Sequence, residues 1–105
     1  MPTSWIQAIP EIMEEVERFK PNSILDIGIG FGKYGVLLRE SLELPYERYS
    51  KSDWKVRLDG VEAFTNYKNP IHEHVYDKVL FFASKKYREL QRKIQRLAAL
   101  FIFTY

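Results

Sequence analysis

The run Ser23-Ile24-Leu25-Asp26-Ile27-Gly28-Ile29-Gly30-Phe31-Gly32 leaves this chain few folding options. Its first half is apolar and β-branched behind the breaker Pro21-Asn22, its second half alternates with glycine, and Val36-Leu37-Leu38-Arg39-Glu40 continues with helical spacing. The order predicts strand, glycine turn, helix. A turn of this kind brings backbone N–H groups and a helix N-terminus close to a ligand, because glycine tolerates positive φ and has no Cβ to hold the ligand away. Asp26 stands two positions before the first glycine, at the expected carboxyl end of the strand. A carboxylate there repels a phosphate and favours an ammonium or a hydroxyl.

A second strand pattern, Lys55-Val56-Arg57-Leu58-Asp59-Gly60-Val61-Glu62, ends in another carboxylate. Together with Asp26-Ile-Gly28-Ile-Gly30-Phe-Gly32, it resembles the D/E-x-G-x-G-x-G signature and following acidic strand end of class I S-adenosylmethionine-dependent methyltransferases. The resemblance implies the amino-terminal, cofactor-binding half of such a fold. That half is an α/β, partial Rossmann-like, doubly wound parallel sheet of three to four strands flanked by helices. It further implies S-adenosylmethionine as cofactor, with Asp26 toward the methionine amino group and the backbone of Ile27, Gly28, Ile29, Gly30, Phe31 and Gly32 beneath it. Glu62 would take the ribose hydroxyls, and Ala63 and Phe64 the adenine. Acceptor-binding residues in the family come mainly after the fourth strand, so the resemblance implies an incomplete methyltransferase and names no catalytic base. A rival frame, Gly30-Phe-Gly32-Lys-Tyr-Gly35, satisfies the dinucleotide fingerprint G-x-G-x-x-G, and NAD is the ligand it implies. It requires the strand to run unbroken to Gly30. A third alternative is a non-catalytic α/β module that associates through its carboxyl-terminal helix.

At 105 residues the chain is expected to be one domain. The net charge of +2 is too near neutral to imply nucleic acid. Its distribution is uneven: residues 1–76 hold 9 Lys/Arg against 12 Asp/Glu, and residues 77–105 hold 7 against 2. This divides the domain into a cofactor half, 1–76, and a basic helix with an apolar tail, 77–105. The chain has no cysteine, which excludes disulfides and thiolate chemistry and suits a reducing cytoplasm. No apolar run approaches the length of a membrane span. A half-sheet leaves apolar surface open, so a homo-oligomer or a second subunit is the expected partner.

The remaining segments arrange themselves around the turn. Residues 4–20 read as a helix capped by Ser4, with Ile9, Ile12, Met13, Val16 and Phe19 on one face and a solvated acidic face opposite. In the helix after the turn, Tyr34, Leu37, Leu38 and Leu42 face the sheet, and Lys33, Arg39, Glu40 and Glu43 face outward. Residues 45–54 read as a loop whose Tyr46, Tyr49 and Trp54 form either a stacking surface or a local packing cluster. The alternation through Val56 and Leu58 places the second strand nearer a sheet edge than the first. Asn69-Pro70 starts a short helix on which His72 and His74 diverge by about 200°, against metal binding. Lys78 to Ala83 reads as a third strand, followed by Ser84-Lys85-Lys86 where the resembled family commonly has an acid. Tyr87, Leu90, Ile94, Leu97 and Phe101 mark the inner stripe of a basic helix, read first as a crossover helix of the sheet, with a dimerising helix or a basic amphipathic element as alternatives. Residues 100–105 suit a strand pairing with the first, the alternative being helix to the end.

Overall fold

The computed structural model describes residues 6–96 and 100–104. After a 3₁₀ turn the elements run α1 (Ile9–Phe19), β1 (Ser23–Ile27), α2 (Lys33–Leu42), β2 (Arg57–Glu62), α3 (Pro70–Val75), β3 (Lys78–Phe81), α4 (Lys85–Arg96) and β4 (Leu100–Thr104). The strands form one sheet in the order β3-β2-β1-β4. The three strands β1, β2 and β3 are parallel, which gives the partial Rossmann-like α/β architecture expected from the sequence. The fourth departs from a wholly parallel sheet, since β4 runs antiparallel to β1, with Leu100 opposite Ile27 and Thr104 opposite Ser23.

The reversal of β4 follows from the course of α4. Phe81, just before α4, lies opposite Glu62 at the carboxyl end of β2, and Leu100 lies opposite Ile27 at the carboxyl end of β1. Both ends of α4 are therefore at the carboxyl edge. Its 12 residues span about 18 Å. The three strand spacings separating β3 from β4 come to about 14 Å. The helix therefore crosses the edge of the sheet and does not return to the amino end as a parallel crossover must.

One face of the sheet carries the core. Ile24 and Leu58 sit opposite each other on it and pack with Val16 of α1, Leu38 and Leu42 of α2, and Val75 and Tyr76 at the end of α3. Helices α1, α2 and α3 thus share that face. Leu25 and Ile27 of β1 lie on the other face and stay half-buried, and Leu80 of β3 is 43% exposed there. This inequality explains the alternation in β2. The strand is interior, flanked by β1 and β3, so its expected placement nearer an edge is corrected. Arg57 and Asp59 are polar because they line the less covered face, where they pair at 3.0 Å.

Local signals account for the element ends. Lys20 closes α1 in the left-handed region, donating its N–H to the Val16 carbonyl. Pro10 stands in the first turn of α1, and Ser4, the expected cap, lies outside the described residues. Asn69 Oδ1 accepts from the Ile71 N–H at 2.7 Å, with Pro70 behind it opening α3.

Two outward assignments on α2 are reversed. Arg39 and Glu43 are buried and joined at 3.2 Å. Arg39 also donates to the carbonyls of Val75 and Val56, at 2.9 and 2.6 Å, and to Asp77 Oδ2 at 3.2 Å. Glu43 accepts from Arg48 Nε and from the amides of Lys55 and Val56. The long connection from α2 to β2 needs an anchor for those backbone groups, and an i, i+4 ion pair on the helix supplies it. The three loop aromatics do not stack on one another. Trp54 lies beneath the Arg39 guanidinium and donates to the Arg48 carbonyl, Tyr46 lies beside Arg48, and Tyr49 is exposed.

Candidate functional site

Asp26 and Glu62 reach the same side of the sheet. Asp26 is paired with Gly60, and Glu62 lies two residues beyond Gly60, so both carboxylates point to the helix-covered face at its carboxyl edge. Each is almost wholly buried. The glycine turn passes between them, with Gly28, Gly30 and Gly32 at φ values of 77°, 57° and 104°. At Gly32 a Cβ would meet Ile71 at 2.9 Å, so both backbone conformation and space require glycine there.

The turn is held from two sides. The amides of Gly28 and Ile29 donate to the Val61 carbonyl at 2.8 and 3.3 Å, and the Gly30 amide donates to Glu62 Oε1 at 2.7 Å. The Gly30 carbonyl lies 2.7 Å from His72 Nε2. A carbonyl can only accept, so the imidazole carries its proton on Nε2. Its buried Nδ1 has no hydrogen-bond partner among the described residues. His74, two residues on, faces Trp54, and the two rings diverge as their spacing predicts.

Asp26 accepts a hydrogen bond from the Tyr76 hydroxyl at 2.7 Å. Burial pushes its carboxyl up to about 7; the Tyr76 hydrogen bond pulls the other way, and the charge of Glu62 adds to the rise. Burial, and then the Asp26 charge, raise the Tyr76 phenol well above its ordinary value. Asp26 therefore changes charge near neutral pH.

Glu62 is fully enclosed by donors. Besides the Gly30 amide on Oε1, its Oε2 accepts from the Phe64 amide at 2.8 Å and from Gln91 Nε2 of α4 at 2.6 Å. Gln91 turns its other carboxamide atom to the next residue, Oε1 accepting from the Ala63 amide at 2.7 Å. Arg92, one residue further, sits over the Phe64 ring at 5.1 Å. Helix α4 thus covers Glu62, Ala63 and Phe64 together. Phe31, at the crest of the turn, is exposed and meets Tyr67 edge-on.

No protein-family model, curated protein or solved structure matches this chain.

All ten predicted site residues, Asp26 to Gly32 and Glu62 to Phe64, converge on the carboxyl edge of β1 and β2. Tyr76, His72 and Gln91 are the partners that sequence reading missed. Gln91 carried a legible signal: it stands four residues after Tyr87 and three before Ile94, on their face of the helix. The inner position is Gln91, fully buried, and Leu90 of the expected stripe is exposed. Leu97 lies outside the described residues. A separate cleft of about 410 Å³ opens between α2, α3 and the loop, lined by Val36, Leu44, Trp54, Ile71, His74 and Val75 among others. It contains none of the predicted site residues.

Proposed function

We propose that this chain is an S-adenosylmethionine-binding, methyltransferase-like domain whose nucleoside crevice is closed in this conformation. The observation that carries the reading is the pairing at the lip of β2. There a buried carboxylate oxygen and the amide of the next residue accept and donate side by side, and one carboxamide satisfies both. A ribose offers the same adjacent donor and acceptor through its two hydroxyls, so the residues fit the nucleoside. In this reading Glu62 takes a ribose hydroxyl, the Ala63 amide and Phe64 ring meet the sugar and base, and the glycine turn passes beneath. Asp26 faces the amino acid end and, near neutral pH, gains the charge that holds an ammonium.

When bound, the cofactor supplies a methyl group on a sulfonium for in-line attack by the acceptor. The chain's own contribution is to hold the nucleoside and set its direction. The dinucleotide alternative expects β1 to continue to Gly30. The end of β1 at Ile27 supports the first frame over it. The half-covered Leu25 and Ile27 and the exposed Leu80 support a second subunit on the open face, which light scattering tests through the solution mass.

Calorimetric titration with S-adenosylhomocysteine and with NAD tests the reading. Heat with the first and none with the second is the expected result. No heat and no thermal shift with either at millimolar ligand leaves the non-catalytic module as the answer.

A further inference from the structure

We infer that α4 is an occluding arm: Gln91 holds the ribose place and Arg92 the base place, so a nucleoside enters only when α4 leaves the carboxyl edge. The inference rests on the nucleoside reading above and adds its regulation. Three observations carry it.

The first is the completeness of the substitution. Glu62 Oε2 and the Ala63 amide form a mixed acceptor and donor pair, and the Gln91 carboxamide answers each with the complementary group, at 2.6 and 2.7 Å. One residue along the helix, the flat guanidinium of Arg92 lies over Phe64. The two side chains therefore cover the polar and the flat part of the same crevice at once. A ligand making either contact collides with α4.

The second is how lightly the helix is otherwise held. Among its described side chains Gln91 alone is fully buried, Tyr87, Arg88 and Ile94 are half-buried, and Lys85, Lys86, Glu89, Leu90, Arg92 and Lys93 are exposed. A helix docked permanently on a sheet buries a continuous apolar stripe. Here the centre of the docking face is a carboxamide, whose hydrogen bonds are exchanged without net loss for those of an incoming hydroxyl pair.

The third is where the arm is rooted. It follows Phe81 after Phe82, Ala83 and Ser84, all exposed, and Ser84 caps its first turn by accepting from the Tyr87 amide at 3.2 Å. The cap keeps the helix intact when it lifts; Ala83 and Ser84, beyond the Phe82 amide that donates to the Glu62 carbonyl, give it freedom at that end, while β4 after it remains paired with β1. The arm then lifts between two strands that stay in the sheet.

A closed state favoured by these bonds lowers the apparent affinity by the fraction of molecules that are open. Gln91→Ala and the similarly sized Gln91→Met both remove the two hydrogen bonds and leave Glu62 and Ala63 in place. Each should bind S-adenosylhomocysteine roughly tenfold or more tightly than the wild type, the factor set by one charge-assisted bond. In the wild type, hydrogen exchange should quicken over residues 85–96 and slow over residues 28–32 when the ligand is added. Equal affinity in all three proteins, with exchange over 85–96 unchanged on binding, overturns the occluding arm and leaves the nucleoside reading standing. Absence of binding in all three proteins overturns that reading, and the arm with it.

Discussion

Replacing Asp26 with asparagine should make the protein more stable at pH 8 than the wild type, although the residue belongs to the candidate site. The carboxyl is buried against Tyr76 and within the field of Glu62, and its pKa is pushed from 3.8 to about 7. A raised carboxyl pKa means the folded chain binds more protons than the unfolded chain between those values. Asp26 therefore contributes stability that is fully present below pH 3.8 and is lost as pH rises through about 7. Each pH unit across the window is worth about 1.4 kcal/mol, so the whole loss is roughly 4 kcal/mol. Asparagine keeps an oxygen for the Tyr76 hydroxyl and has nothing to ionise. Urea unfolding of both proteins at half-unit steps from pH 4 to 8, followed by tryptophan fluorescence, isolates the effect. Other titrating groups cancel in the difference. The stability of Asp26→Asn minus that of the wild type should climb through the window and level off above it. Parallel profiles, or a difference that shrinks with rising pH, would refute the account of a destabilised buried carboxylate.

Arg39→Ala removes the hub of the buried ion-pair network and should cost about 3 to 5 kcal/mol in urea unfolding. Arg39→Lys should recover only part of that cost, because one ammonium cannot replace the guanidinium fork that reaches Val75, Val56, Glu43 and Asp77. Gly35→Ala places a methyl 2.6 Å from Val75 and 2.7 Å from the Tyr76 ring, an overpacking cost of about 1 to 3 kcal/mol. Scanning calorimetry should show a lower melting temperature, and displacement of Tyr76 should weaken its bond to Asp26 in the same variant.

Much of the path to the site was legible because it is local. The β1 run, the glycine turn and the stripe of Tyr34, Leu38 and Leu42 are set by residues within one turn or strand of one another, and they appear where periodicity puts them. Asn69-Pro70 and the strand character of residues 100–104 were readable for the same reason. What stayed hidden depends on partners distant in sequence. Arg39 and Glu43 look like solvated helix residues until the loop returns to present the Lys55 and Val56 amides. The direction of β4 depends on whether α4 packs along the sheet or across its end. Gln91 is polar, and its burial becomes intelligible only once Glu62 and Ala63 are beneath it.

The most direct test follows the backbone amides of Gly30 and Ala63 by ¹⁵N nuclear magnetic resonance during titration with S-adenosylhomocysteine, since the Gly30 amide donates to Glu62, which would take the ribose, and the Ala63 amide to Gln91, which a nucleoside would displace. The account predicts that these two resonances, with those of Gly28 and Phe64, move together and saturate at one common affinity. Resonances unmoved at millimolar ligand, or movement confined to Val36, Trp54 and Ile71 around the separate cleft, would contradict it.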